Sequence, residues 1–167
     1  MRKILLQFIL FFILFNNKFI YSQFDEIRFE HITKSDGLSQ GSVYDVYQDH
    51  QGFLWFATQD GLNKYDGYQF KIYRNDSNDS SSISNNWITK ITEDKDDNLW
   101  ISTWGGGLNL LDKSRKKFIH FKKESNENFS LSSNNIQSII LSRDNKIWIS
   151  TWSGGINILV PKTKEIK

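Results

Sequence analysis

An all-β architecture of four-stranded antiparallel sheets is the fold class this chain predicts, and three observations predict it. The composition is rich in rings, with 13 Phe, 6 Trp and 6 Tyr in 167 residues against one Pro, one Met and no Cys. Large flat side chains of this kind favour pleated surfaces. Three segments superimpose on one another, with Trp55, Trp100 and Trp148 spaced 45 and 48 residues apart. Within one period, four short alternating runs are separated by turn residues, and beyond the first 22 residues no window shows the 3.6-residue spacing of a helix. Four strands repeated at this spacing are the signature of a β-propeller, whose blades stack radially and bury side chains between neighbours. The expectation is about three blades in an incomplete ring.

Residues 1–22 are read apart from the rest. Arg2 and Lys3 precede an apolar run at 4–15, a polar break at Asn16, Asn17 and Lys18 follows, and Ser22 supplies a small residue before Gln23. This is the order of a secretory signal peptide. The run is too short for the roughly 20 residues that a membrane-spanning helix needs. Removing Arg2, Lys3 and Lys18 takes the formal net charge from +2 to −1. No basic footprint for nucleic acid survives. With no cysteine there is no disulfide framework and no thiolate chemistry.

Each element of the repeat has its reason. The segments Leu38-Ser39-Gln40-Gly41-Ser42-Val43, Ile83-Ser84-Asn85-Asn86-Trp87-Ile88 and Leu131-Ser132-Ser133-Asn134-Asn135-Ile136 open the three repeats. In the first repeat, strands a to d are expected at 43–48, 54–58, 62–65 and 69–74, with Asp66-Gly67 as the c–d hairpin turn. The a–b connections at 49–52, 94–98 and 142–146 are short and polar, as tight turns require. Strand b reads Leu54-Trp55-Phe56-Ala57-Thr58, Leu99-Trp100-Ile101-Ser102-Thr103 and Ile147-Trp148-Ile149-Ser150-Thr151. The blades are set at 38–74, 83–122 and 131–167, the outer strand of the third being cut short, and 23–37 is set apart as an N-terminal closing strand. That last expectation rests on Phe29-Glu30-His31-Ile32, which copies Phe118-Ile119-His120-Phe121. The expected core is Trp55, Trp100 and Trp148 with Val46, Ile91, Ile139, Leu62, Leu108 and Ile156.

The repeat resembles the two-component regulator propeller repeat, carried by Gly52 to Gly67, by Leu99 to Leu108 and by the Ser/Asn-rich linker 75–85. The resemblance covers 29–167. It implies the periplasmic sensor of a hybrid two-component protein, one that senses oligosaccharides and controls polysaccharide utilisation. Such sensors carry more blades, a membrane helix and a histidine kinase, so the chain reads as an N-terminal fragment. Three blades cannot close a ring, since propellers use typically four to eight. The expected partners are therefore an oligosaccharide and either a second copy or the missing blades. Nucleic acid is not expected as a partner, and contact with a membrane is expected only through the absent downstream region.

In propellers the d–a and b–c connections share one face. There the sequence gathers Gln59 and Asp60, Trp104, Trp152 and Ser153 from the b–c loops, and Asn86, Trp87 and Asn135 from the d–a loops. Rings beside amides and hydroxyls suit a sugar, whose C–H faces stack while its hydroxyls need donors and acceptors. The competing reading packs Trp104 and Trp152 between blades and gives the loop Asn and Ser residues to turn geometry.

Catalytic and metal patterns fail. His31, His50 and His120 share no metal-ligand spacing, so no local zinc site is expected. Asp94-Lys95-Asp96-Asp97-Asn98 begins like a calcium loop but lacks its glycine and its bidentate glutamate. Gly105-Gly106-Gly107 precedes a strand, so no helix N-terminus is there for a phosphate. Arg115, Lys116, Lys117, Lys122 and Lys123 read as a solvated edge that blocks sheet pairing. Neither a cofactor nor a catalytic residue is expected. The leading function is a non-catalytic sensory module. A secreted binding or scaffold propeller without signalling is the alternative, and a propeller lyase is disfavoured because no His or carboxylate cluster converges on the loop face.

Overall fold

The computed structural model describes residues 28–124 and 130–167. The chain divides into two units, Met1–His31 and Ile32–Lys167. The signal peptide assigned to 1–22 lies outside the described residues.

Ile32–Lys167 holds three antiparallel four-stranded sheets, each meandering in sequence order. Blade 1 is β1 (Val43–Gln48), β2 (Leu54–Thr58), β3 (Gly61–Tyr65) and β4 (Phe70–Tyr73). Blade 2 is β5 (Ile88–Glu93), β6 (Leu99–Thr103), β7 (Leu108–Leu111) and β8 (Phe118–Phe121). Blade 3 is β9 (Ile136–Leu141), β10 (Ile147–Thr151), β11 (Ile156–Val160) and β12 (Glu165–Ile166), the last only two residues long. The first strands β1, β5 and β9 lie beside one another, so they form the inner edge of an open arc of blades.

Residues 28–33 form no strand, and Lys34–Asp36 is a 3-10 turn. Among the described residues 28–37, no strand forms where a closing strand was expected at 23–37, and 23–27 lie outside the described residues. Phe29 is 93% exposed, so it lacks the sheet neighbours that hold its sequence counterpart Phe118.

Burial follows the alternation of the pleat, because successive side chains point to opposite faces. One face of blade 1, with Trp55, Ala57 and Leu62, packs on Ile91, Leu99, Ile101 and Leu111 of blade 2. The corresponding face of blade 2, with Trp100, Leu108 and Leu110, packs on Ile139, Ile147, Ile149 and Leu159 of blade 3. Trp148 stands where Trp55 and Trp100 stand, yet it is 41% exposed, and Ile156 and Val46 are also open. These three were expected in the core. A blade face is buried only by a following or preceding blade, and Val46 lies on the outer face of the first blade while Trp148 and Ile156 lie on that of the third. A shallow cavity of about 240 Å³ opens over the Trp148 face.

The a–b turns explain the tryptophans. Asp49 Oδ1 accepts the amides of Gln51 and Phe53, while its Oδ2 accepts the indole N–H of Trp55 at 2.9 Å. Asp94 repeats this with Asp96, Asn98 and Trp100. The calcium-like run is thus a hairpin turn whose carboxylate is already spoken for.

Arg115 corrects another expectation. Its side chain is 8% exposed and turns inward from a left-handed residue (φ 55°) in the c–d hairpin of blade 2. Its guanidinium donates to Glu93 at 2.8 Å and to the carbonyl oxygen of Asp97 at 3.0 Å, and it lies 5.9 Å from the Trp55 ring. Arginine suits this role because its fixed fork serves several acceptors at once. On the blade 1 side, His50 donates its backbone N–H to Glu93 at 2.9 Å, and its Nδ1 lies 2.8 Å from the same carboxylate. The hydrogen bond to Glu93 holds the His50 imidazole above its ordinary range. His50, Glu93 and Asp97 thus meet across the seam between blades 1 and 2, although their spacing in sequence gives no metal motif.

Candidate functional site

The b–c loops of blades 1 and 2 lie against the d–a loops that lead into the next blade. Gly61 N–H donates to the Asn86 carbonyl at 2.8 Å, and Gly105 and Gly107 N–H groups both donate to the Asn134 carbonyl. Beneath these contacts a largely buried cluster of Ser, Thr and Asn recurs, as a bonded trio in blades 1 and 3 and as a pair in blade 2. Ser39, Thr58 and Asn63 bond one another in blade 1, and Ser132, Thr151 and Asn157 do so in blade 3. Ser84 and Asn109 pair likewise in blade 2, where Thr103 caps the Gly107 carbonyl. These Ser, Thr and Asn side chains satisfy buried polar groups and fix the loops.

Close approach sets the glycine run. A Cβ on Gly107 would stand 2.3 Å from the Phe121 carbonyl oxygen, and one on Gly106 would stand 2.4 Å from the Ser84 hydroxyl. Gly107 also has φ +77°, which glycine adopts without a steric cost.

On this scaffold the rings converge. Tyr44 and Trp87 have centroids 6.3 Å apart, Trp87 and Trp104 5.7 Å, and Trp104 and Trp152 5.6 Å. The strip crosses all three blades. Trp152 is 55% exposed and Trp87 36%, and Trp104 is half-buried. The rings therefore pack edge and face against each other while keeping a side towards solvent.

A groove of about 430 Å³ runs beside the strip, lined by Tyr44, Trp87, Trp104, Thr89, Gln137, Lys90 and Ser138. Three of these are placed by one device. The register between the first two strands shifts at the same point in every blade, between Val43 and Asp45, between Ile88 and Lys90, and where Ile136 and Ser138 pair with successive residues of β10. Such a bulge takes one residue out of the ladder and re-aims its side chain. Tyr44, Thr89 and Gln137 are the bulged residues, and all three line the groove. Lys90 is neutralised by Asp45 at 2.5 Å, whose other oxygen accepts the Ile91 amide. The groove thus offers aromatic, hydroxyl and amide groups, with its one lysine already paired.

Of the residues expected from sequence, Trp87, Trp104 and Trp152 come together. Gln59 donates its amide to the Tyr44 hydroxyl, supporting the first ring of the strip. Asp60 is held in a bidentate pair with Arg74 at 2.9 and 3.0 Å, and that guanidinium keeps its carboxyl below the usual range. Asn86 accepts the Asn75 amide with its side chain, and Asn135 accepts the Trp152 N–H with its carbonyl oxygen. Ser153 is exposed at a left-handed position, φ 69°. Tyr44, Thr89 and Gln137 were missed, although the superimposed repeats place them at one position and a column reading Tyr, Thr, Gln is the signal that marks it.

The family model of the two component regulator propeller matches residues 37–60, 82–105 and 130–153. These are two-component regulator propeller repeats. Each match runs from the d–a loop through the first two strands into the b–c loop, the part of the blade that builds the groove. A 56-residue stretch is 61% identical to histidine kinase P4 of Formosa agariphila, over 34% of this chain and 4% of that protein. The fold matches the extracellular domain of the hybrid two component system BT3049 of B. thetaiotaomicron, with TM-score 0.77 and 31% identity, over 83% of this chain and 19% of that one. It also matches the extracellular domain of BT4673 of the same organism, a one component system, with TM-score 0.64 and 31% identity over 78% and 18% of the two chains. The chain therefore spans less than a fifth of these relatives. Both structural neighbours are extracellular domains, and among the described residues no helix is long and apolar enough to cross a membrane.

Proposed function

We propose that this propeller is the ligand-sensing part of an exported two-component regulator and that it binds an oligosaccharide along the Tyr44–Trp87–Trp104–Trp152 strip. The strip itself carries this reading. Sugar C–H faces stack on rings, and the Thr89 hydroxyl and Gln137 amide beside them can meet sugar hydroxyls as donor or acceptor. A neutral groove fits a neutral glycan better than a nucleotide or an acidic peptide. The chain's part is to bind, and a kinase in a longer protein would read the bound state. Residues 1–22 would direct export to the periplasm and leave Gln23 as the first residue of the mature chain.

The test is a panel of neutral plant and algal oligosaccharides titrated against the full chain, with Trp87→Ala and Trp104→Ala compared with Lys71→Ala, a lysine of the outer strand β4. Binding by the parent and the Lys71 variant, lost in the two tryptophan variants, is expected. Binding that both tryptophan variants retain would remove the strip as the site, and no binding across the panel would remove the oligosaccharide. Export is checked separately, by the intact mass of protein recovered from the periplasm of a Gram-negative host.

A further inference from the structure

We propose that the seam between blades 1 and 2 binds a zinc ion, ligated by His50 Nδ1 from blade 1 and by the carboxylates of Glu93 and Asp97 from blade 2. His50 Nδ1 lies 2.8 Å from Glu93 Oε1 and 3.6 Å from Asp97 Oδ1, and the three ligand atoms all fall within 4.8 Å of one another. Two ligands at about 2.1 Å from a tetrahedral zinc stand about 3.4 Å apart. Side-chain adjustments of well under an ångström bring both His50 contacts to that separation. One imidazole and two carboxylates form a donor set that zinc accepts, with a fourth position left for water.

Charge and support agree with the geometry. Asp49, Glu93 and Asp97 bring three negative charges to the seam, and Arg115 returns one positive charge, 3.6 Å from Asp49 and 2.8 Å from Glu93. Lys64, close enough to Asp49 to feel its charge, returns a second, and the seam keeps a net negative charge that favours a cation. Arg115 also orients Glu93, in the way that ligating carboxylates are held by outer hydrogen bonds. It is fixed in turn by the carbonyl oxygens of Asp97 and Leu111 at 3.0 and 3.3 Å. The His50 and Asp97 side chains are 41% and 47% exposed, which leaves the ion a way in. On binding, the zinc takes the place of the proton shared between His50 Nδ1 and Glu93, and that proton leaves to solvent.

The next seam is an internal comparison. Lys95 follows Asp94 as His50 follows Asp49, and it reaches across to blade 3, giving its ammonium to the Arg143 carbonyl oxygen at 3.1 Å and its backbone N–H to the Asn145 side chain at 3.3 Å. Asn145 and Asp97 occupy the same left-handed turn position, at φ 59° and 66°. Both seams thus place a cation between successive turns. The second carries it on a lysine, and the first offers a metal ligand facing two carboxylates.

The experiment titrates zinc chloride into the full, untagged chain by calorimetry and compares His50→Ala, Asp97→Asn and His31→Ala. Asparagine tolerates the left-handed backbone of residue 97, and the exposed His31 is not among the three ligands. One zinc per chain is expected for the parent and for the His31 variant, with affinity at least tenfold weaker in each of the other two. Zinc should raise the melting temperature of the parent and leave those two unmoved, since only binding to the native state stabilises it. Cobalt substituted for zinc should give the visible bands of tetrahedral coordination. Absence of saturable zinc binding overturns the site, as does binding that survives in either the His50 or the Asp97 variant.

Discussion

The indole N–H of Trp100 donates to Asp94 Oδ2 at 2.8 Å, from a ring that is 1% exposed to a carboxylate six residues earlier. The bond ties the hairpin turn to the core between blades 2 and 3. In blade 3 the aspartate is replaced by Ser142, whose hydroxyl accepts the Lys146 amide within the turn.

Asp94→Ala leaves that buried N–H without an acceptor, which costs about 1–3 kcal/mol, and it also removes the turn bonds from the Asp96 and Asn98 backbone amides and from the Asn98 side chain. A loss of about 2–4 kcal/mol is expected by urea denaturation. Ser142→Ala removes turn bonds to Asp144 and Lys146 at a partly exposed site where water replaces them, and should cost less than Asp94→Ala, under about 1.5 kcal/mol. Equal losses would show that the indole contact contributes nothing.

Tryptophans at one position of the repeat should respond differently. Trp100→Ala empties a filled core site and should cost about 3–5 kcal/mol. Trp148→Ala removes a ring already 41% exposed and should cost less than half as much. Thermal melts of the two variants decide it, and the strip residue Trp152, at 55% exposure, should behave like Trp148.

Gly107 and Gly155 separate backbone strain from crowding. Both have positive φ, but a Cβ on Gly155 meets nothing within 4 Å while one on Gly107 meets the Phe121 carbonyl oxygen at 2.3 Å. Gly155→Ala should cost about 1–2 kcal/mol, the left-handed penalty alone. Gly107→Ala should cost clearly more, because main chain has to move as well.

Acid should weaken the turns, modestly because the carboxyls concerned are exposed. Asp144 is lowered to about 2 by Lys146 and Ser142, Asp60 is lowered by Arg74, and Asp66 and Asp79 are lowered by hydrogen bonds within their own turns. A carboxyl whose folded pKa is depressed stabilises the fold fully above its unfolded value and loses that contribution as pH falls through the folded one. The melting temperature should therefore hold down to about pH 4 and fall between about pH 4 and pH 2. A flat profile across that window would show that these turns add no net stability.

The repeat, the strand order and the strand bounds of blade 1 were legible because they depend on alternation and turn residues, which are local. β1 and β2 fall where the alternation puts them, and β3 and β4 differ by one residue at their ends. Burial of Trp148, Val46 and Ile156 was not legible, because a periodic pattern says which way a side chain points and not whether a blade stands opposite. Arg115 hid for a similar reason. Its lysine neighbours are solvated, and only the chain reversal at a left-handed residue turns this one side chain inward. Of the site, the tryptophans stood out as large residues in loops. Tyr44 did not, since a bulge breaks the very period by which strands are read. The meeting of His50 with Glu93 and Asp97 spans more than 40 positions and depends on how two blades are set together.

That bulge divides labour within the blade. Residues on the regular ladder are answerable to both neighbouring sheets, so a change at Ile91 or Ile139 is felt across a seam. The bulged position answers to neither ladder, and Tyr44, Thr89 and Gln137 show three unrelated chemistries on one backbone. A ring assembled from such units is a keyboard with one free key per blade. Its binding preferences can be rewritten one letter at a time while the frame that holds the letters stays the same.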